Sequence, residues 1–171
     1  MDQCNECGFT YDLGGATEAG PSIRAGAEEY ATLLRRTDPA VTTRPAPTVW
    51  SPLEYGCHLR DVLLVQRERV LHARRTQQPA PAPEPMGRDE RVEHDGYADQ
   101  NPADVARQLT DAAQLFAHVL SRLGRADWER TLVYNYPEPT VRSLRWVAVH
   151  TLHEVRHHLL DASRHLSSNL P

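Results

Sequence analysis

The chain contains no lysine, so all 19 of its basic residues are arginine. This bias is typical of a high-GC genome and reflects composition rather than function. The 23 acidic residues outnumber the basic ones, which gives a formal net charge of -4 and a pI near 6.1. A chain with this balance lacks the basic surface by which proteins bind nucleic acids, and no nucleic-acid partner is expected.

Cysteine is scarce as well. Cys4, Cys7 and Cys57 are too few for a disulfide framework, and in a reducing compartment free thiols or metal ligands are the default. No stretch reaches the roughly 18–20 apolar residues that span a bilayer. The first residues are neither basic nor apolar enough for a signal peptide. We therefore expect a cytoplasmic protein of one domain that has no membrane partner.

Four segments show the periodicity of amphipathic helices. One begins with a capping box, in which Ser51 precedes Pro52 and Glu54. Another opens at Asn101 and stops at Gly124. The predicted helices cover approximately residues 22–36, 51–76, 101–123 and 140–165.

Long connections separate these helices. Residues 77–85 are too rich in proline for a helix and are expected to form an exposed loop, partly polyproline II. Residues 88–100 lack a clear periodicity, and residues 133–136 are compatible with an extended conformation. Four amphipathic helices with long connections predict an all-α fold, a four-helix bundle. We assign this bundle to residues 21–168 and a short N-terminal extension to residues 1–20.

Histidine, in contrast, is concentrated. Four of the nine histidines lie between His150 and His158, in the last predicted helix. His153 and His157 stand four residues apart, which places both imidazoles on one face of a helix. Two such imidazoles can bind one divalent metal ion. The window therefore predicts a pair of metal ligands.

His58 is the expected third ligand. It lies between Tyr55 and Val62 on the apolar face of the second predicted helix, where an unpaired imidazole is unfavourable. A metal bound by His58, His153 and His157 would satisfy all three imidazoles. Such a site leaves coordination positions for water or substrate, as reactive metal sites do. The alternative is that His58 is an ordinary core histidine held by hydrogen bonds.

Three further residues are candidates for a catalytic role. Glu54, one turn before the expected third ligand, could orient a ligand or act as a base, although the capping box already gives it a structural role. His150, one turn before the predicted pair, is expected to support the site or to act as an alternative ligand. His94 lies in the irregular segment that could cover the metal. His158 points about 100° away from the preceding histidine and is expected to pack or to face solvent.

The N-terminal extension carries Cys4-Asn5-Glu6-Cys7-Gly8, whose CxxCG spacing resembles a zinc knuckle. In such a knuckle the glycine lets backbone N–H groups turn towards sulfur. A structural zinc site needs four ligands, and the chain has no second CxxC. Three hypotheses remain for Cys4 and Cys7: a redox dithiol, half of a second metal site completed by histidine or by another subunit, and a tail that binds no metal. No thioredoxin-like βαβ pattern surrounds the pair to favour the first.

Two segments resemble motifs of the DinB/YfiT-like superfamily. The run Trp-Ser-Pro-Leu-Glu-Tyr-Gly-Cys-His-Leu at residues 50–59 is similar to its second-helix motif. The run His-Glu-Val-Arg-His-His at residues 153–158 is similar to its fourth-helix motif. The resemblance implies an up-down-down-up four-helix bundle, often dimeric, that binds Zn, Ni or another divalent ion such as Fe or Mn. It also implies that the metal ligands are His58, His153 and His157.

The same resemblance implies a choice of activities. Characterised relatives look like thiol-dependent transferases or isomerases that use mycothiol or bacillithiol, and others like metal-dependent hydrolases. We therefore predict a metal-dependent enzyme that activates a low-molecular-weight thiol, with mycothiol favoured by the composition, or a water. Its partners would be that thiol, an electrophilic small molecule and a second copy in a homodimer. The alternatives are a non-catalytic metal-binding or stress- and redox-sensing module, and a bundle that binds no metal.

Overall fold

Four long helices form the body of the protein in the computed structural model, which describes residues 3–135 and 138–168. They confirm the predicted all-α class and the four predicted helices. Two short helices, a hairpin and two short 3-10 turns lie in the connections, and a further 3-10 turn precedes the first helix. In chain order the helices and strands are α1 (Ala19–Leu34), α2 (Pro52–Arg75), α3 (Arg88–His94), α4 (Pro102–Ser121), α5 (Arg125–Trp128), β1 (Thr131–Tyr134), β2 (Thr140–Ser143) and α6 (Leu144–Ser168).

Side-chain caps fix where the two central helices begin. Ser51 Oγ accepts a hydrogen bond from the Glu54 N–H at 3.2 Å, and a Glu54 carboxylate oxygen accepts one from the Ser51 N–H at 2.8 Å. This is the predicted capping box at the start of α2. At the start of α4, Asn101 Oδ1 accepts from the N–H of Ala103 at 2.9 Å. These caps satisfy N–H groups that have no partner within the helix.

The bundle does not place consecutive helices side by side throughout. Helices α1 and α2 each pack against both α4 and α6 but make few contacts with each other. They therefore lie across a diagonal, and α2 faces α6. The shared core includes the fully buried rings of Tyr30, Tyr97 and Phe116. No helix in the described ranges is long and apolar enough to cross a membrane.

The entry into α6 differs from the sequence prediction. Residues from Thr140 were expected to open the last helix, but they form β2, which pairs antiparallel with β1. The helix begins at Leu144, where Ser143 Oγ accepts a hydrogen bond from the Trp146 N–H at 3.2 Å. The β-branched Thr140 and Val141 suit a strand once a partner is present. Of the segment 133–136 predicted as extended, the first two residues belong to β1, and Tyr136 lies outside the described residues.

A buried ion network ties α3 and the following turn to α2. Asp61 accepts hydrogen bonds from Arg60 Nε at 2.8 Å, from Arg91 at 3.0 Å and from the Tyr97 hydroxyl at 2.7 Å. Arg60 also contacts Asp95 at 3.0 Å. Burial opposes the ionisation of Asp61, but the hydrogen bonds from Arg60 and Tyr97 outweigh it and lower the pKa of this carboxyl. The segment after the proline-rich loop is thus held in place by charge.

Helix α1 packs closely against α6 at Gly26. A Cβ added there would lie 2.7 Å from Cγ1 of Val155, a β-branched side chain that cannot turn away freely. Overpacking of this kind costs about 1–3 kcal/mol, against a gain of up to about 1 kcal/mol in helix propensity. We expect Gly26→Ala to lower the free energy of unfolding by about 1 kcal/mol in urea denaturation. Gly20→Ala is the matched control, since its nearest contact would be 3.5 Å from Ala117, and a loss of equal size there would contradict the argument.

Candidate metal centres

Helix α6 carries two adjacent rows of metal-binding side chains. Members of a row are four residues apart and lie one turn above one another, while the rows are offset by one residue, or about 100° around the helix. The first row consists of His150, Glu154 and His158, and the second of His153, His157 and Asp161.

The first row meets His58 on α2. Donor atoms of His58, Glu154 and His158 all lie within 4.8 Å of one another. The rings of His58 and His158 are nearly perpendicular, with centroids 5.3 Å apart. Nε2 of His158 lies 3.8 Å from a carboxylate oxygen of Glu154. These three residues, here named the histidine–glutamate cluster, bring two imidazoles and one carboxylate together from facing helices.

Aromatic side chains border the histidine–glutamate cluster. Tyr55 stacks on His158 with ring centroids 4.7 Å apart, and Trp50 lies 5.4 Å from His58. The guanidinium of Arg88 lies 5.5 Å above the Trp50 ring. His58 is only 4% exposed. The two aromatic rings therefore hold the imidazoles in place and restrict the access of water to them.

The surroundings set the protonation of the two inner members. Burial, reinforced by the nearby His158, lowers the pKa of His58 to about 4. Burial opposes the ionisation of Glu154, but His153 and His150 outweigh it and lower its pKa to about 2. Near pH 7 the imidazole of His58 is thus neutral and Glu154 is ionised. Both residues are then in the form that binds a cation.

The cluster also fits a metal by its unmet hydrogen-bonding capacity. Nδ1 of His58 is buried and has no hydrogen-bond partner among the described residues. Such a group costs about 1–3 kcal/mol when nothing compensates for its lost hydration. Two imidazoles and a carboxylate are donors that suit zinc and other divalent first-row ions. The residues present therefore fit a divalent ion.

The second row meets the N-terminal extension. Cys4, Cys7, His153 and His157, here named the cysteine–histidine cluster, bring their donor atoms within 4.8 Å of one another. Cys4 Sγ lies 3.8 Å from Nδ1 of His157. Two further groupings in the described residues take all three members from α6 alone, namely His150, His153 and Glu154, and His157, His158 and Asp161.

The structure does not bring the three predicted ligands into one group. In the described residues, His58 groups with Glu154 and His158, whereas His153 and His157 belong to the other row and group with the cysteines. His158, expected to pack or to face solvent, packs against His58 and Tyr55. The difference amounts to one residue, or about 100° of rotation about the axis of α6.

Of the three catalytic candidates, His150 borders the histidine–glutamate cluster, with Nε2 3.9 Å from a carboxylate oxygen of Glu154. Glu54 is fully buried, and its carboxylate binds the Arg44 guanidinium in addition to closing the capping box. Both carboxylate oxygens are therefore engaged in structural contacts. His94 is exposed at the end of α3 and belongs to none of the metal-binding groupings found among the described residues.

Glu154 is the candidate ligand that sequence reasoning missed. A signal was available, because Glu154 stands four residues after His150 and four before His158. That spacing places it on one face with both histidines. His153 and His157, offset from it by one residue, have the same spacing and were chosen instead.

Comparison with known proteins agrees with this architecture. Residues 23–162 match the sequence profile of the DinB superfamily. YfiT from Bacillus subtilis, described as "a probable metal-dependent hydrolase with an unusual four-helix bundle topology", has a similar structure. The TM-score is 0.72 over 91% of this chain and 87% of that one, at 14% sequence identity, and such a likeness concerns the fold. No curated protein sequence matches the chain.

Proposed function

The chain belongs to the DinB superfamily, and on this premise we propose that it is a metal-dependent enzyme whose reactive divalent ion is held by His58, Glu154 and His158. The observation that carries the proposal is the buried, unpartnered Nδ1 of His58, which α2 holds against a carboxylate and an imidazole of α6.

The donor set favours a reactive site over a structural one. Catalytic zinc sites commonly have three protein ligands, two histidines and a glutamate among them, and keep a position for water or substrate, whereas structural sites are closed by four. A bound divalent ion supplies Lewis acidity and lowers the pKa of a coordinated water or thiol. The histidine–glutamate cluster provides three protein donors and matches the first pattern.

The neighbouring side chains prepare the cluster for this role. His150 lies 3.9 Å from Glu154 and stacks on Trp146 at a centroid distance of 4.4 Å, which steadies the carboxylate. Tyr55 holds the ring of His158 by stacking. Trp50 lies beside His58, and the Arg88 guanidinium lies above the Trp50 ring. A small substrate could stack on Trp50 through a planar group or bind Arg88 through an anionic group.

Water is the nucleophile that we assign first. YfiT, which shares the fold, is described as a probable metal-dependent hydrolase, and three protein donors suffice for water activation. A low-molecular-weight thiol such as mycothiol would use the same open position, and thiol transfer is the second activity to be tested.

Turnover distinguishes these activities. Protein loaded separately with Zn, Ni, Mn or Fe is expected to hydrolyse at least one class among esters, amides and phosphoesters, while conjugation of an electrophile only with added mycothiol would identify a transferase. His58→Ala is expected to reduce kcat/KM by about 100-fold or more, because it removes a ligand rather than an outer partner. His118→Ala, on the exposed side of α4, is the matched control. Metal-loaded protein without either activity would contradict the proposal.

A further inference from the structure

The N-terminal extension folds into a small hairpin that presents both thiols on one side. Gln3 and Thr10 form an antiparallel bridge, and the Cys4 N–H donates to the Phe9 carbonyl at 2.8 Å. The Gly8 N–H donates to the Cys4 carbonyl at 2.9 Å. Gly8 has φ +72°, a conformation that L-residues rarely adopt. The loop is therefore shaped by its hydrogen bonds and its glycine.

Backbone amides of this hairpin point at the sulfur atoms. Hydrogen bonds from the N–H groups of Cys7 and Glu6, opposed by burial and supported by His153, lower the pKa of Cys4 to about 6. Burial raises the pKa of Cys7, although the Phe9 N–H acts in the opposite direction. Amide dipoles directed at sulfur stabilise thiolates, the form of cysteine that binds metals.

The two histidines that face the hairpin are arranged for coordination. Nδ1 of His157 lies 3.8 Å from Cys4 Sγ. Tetrahedral zinc bonds of about 2.3 Å to sulfur and about 2.0 Å to nitrogen would place these atoms about 3.5 Å apart. Nε2 of the same ring lies 3.3 Å from a carboxylate oxygen of Asp161 and 3.4 Å from one of Glu6. Carboxylates at the distal nitrogen typically orient a metal-binding histidine.

His153, in the same cluster, has ring nitrogens whose hydrogen-bonding capacity is not met. Both of its ring nitrogens are buried and lack a hydrogen-bond partner among the described residues, although Nδ1 lies 3.3 Å from a carboxylate oxygen of Glu154. The rings of Phe9 and Tyr11 each lie 5.4 Å from the His153 ring. Aromatic rings do not replace the lost hydration of a ring nitrogen, whereas a metal ion bound to Nε2 would.

We propose that Cys4, Cys7, His153 and His157 form a second metal site, a closed Cys2His2 zinc site that fastens the N-terminal extension to α6. Four protein ligands from two separate segments leave no open position, which is the pattern of structural zinc. The two cysteines come from a CxxC hairpin and the two histidines from successive turns of one helix. This arrangement completes the site without a second CxxC.

The site has a consequence for the neighbouring cluster. With the hairpin fastened, the hydroxyl of Tyr11 lies 3.0 Å from Nδ1 of His150, whose Nε2 faces Glu154. The second metal would therefore position the residues behind the histidine–glutamate cluster, although it takes no part in the reaction proposed there.

Metal content and cobalt spectroscopy test the site. Wild-type protein reconstituted with Zn is expected to contain about two ions per chain, and Cys4→Ser/Cys7→Ser about one. The Co(II)-substituted protein is expected to show a thiolate-to-cobalt charge-transfer band and strong tetrahedral d–d bands. His58→Ala should lose the other ion and retain these bands. Cys57→Ala, which removes a buried thiol on α2 outside both clusters, is the matched control and should leave content and spectrum unchanged.

A measurement on the wild-type chain tests the proposed Cys2His2 site even where the double cysteine variant does not fold. Cys4 and Cys7 should react slowly with Ellman's reagent in the zinc-loaded protein and rapidly after chelation. A Co(II) spectrum without thiolate bands overturns the proposal, as does a Cys4–Cys7 disulfide in protein purified under reducing conditions. Metal content that does not change in Cys4→Ser/Cys7→Ser overturns it equally.

Discussion

Glu154→Gln is expected to release the ion held by the histidine–glutamate cluster and to abolish turnover. Glutamine has nearly the same shape as glutamate but offers a neutral amide in place of a carboxylate whose pKa is lowered to about 2. Outer partners of metal sites contribute about 10- to 100-fold to affinity, so the loss of a ligand should exceed that range. Isothermal titration with Zn and kcat/KM measured on the same preparation give the two values.

This substitution also separates the two possible ligand trios. If the reactive metal were held by His58, His153 and His157, as the sequence predicted, Glu154 would be an outer partner at 3.3 Å from His153 Nδ1, and Glu154→Gln would lower the affinity by no more than about 10- to 100-fold. Glu129→Gln is the control, because Glu129 is an exposed partner of Arg145 at 2.8 Å and belongs to neither cluster. Equal metal affinity in both variants would exclude Glu154 as a ligand.

Asp61→Ala is expected to have the largest effect on stability. The substitution removes the acceptor of Arg60, Arg91 and the Tyr97 hydroxyl at once. Arg60 is only 9% exposed and would retain Asp95 as its remaining carboxylate partner. Removal of one partner from a buried ion pair destabilises proteins by about 3–5 kcal/mol. Urea denaturation at pH 7 should show a loss in this range, whereas the exposed Asp111→Ala should change stability by less than about 0.5 kcal/mol.

The pH dependence of the stability difference between wild type and Asp61→Ala provides an independent check. The pKa of Asp61 is lower in the folded protein than its usual value, and in the unfolded chain it is about 3.9. The stabilisation by its ionised form is therefore complete above about pH 4 and is lost as the pH falls through the folded-state pKa. The stability difference between wild type and Asp61→Ala should narrow on acidification below pH 4. A gap that stays constant would assign the effect to packing instead of charge.

Local chemistry made most of the fold predictable. The capping box at Ser51 and the Asn101 cap are encoded within a few residues, and the structure confirms both. The start of α6 was not predictable in this way, because Thr140–Ser143 becomes a strand only through pairing with Thr131–Tyr134. Tertiary pairing there overrides a pattern that is compatible with a helix.

The grouping of the three predicted ligands was not predictable for a different reason. Rows offset by one residue on α6 have the same four-residue spacing, so periodicity alone cannot state which row faces α2. Val155, the residue after Glu154, is buried against Gly26 of α1. Contacts between helices distant in the sequence thus decide that Glu154 faces His58. The cysteines that group with His153 lie in the hairpin near the N-terminus, and the spacing of the histidines gave no indication of them.

The two unpartnered ring nitrogens of His153 have a consequence for the protein in the cell. Both are buried without a hydrogen-bond partner in the described part of the chain. On the proposed assignment, zinc binds the folded chain far better than the unfolded one and so raises its apparent stability with the free zinc concentration. Cells short of zinc would then hold more of the unfolded form, which proteases remove. The abundance of this protein would follow zinc supply without any change in its synthesis.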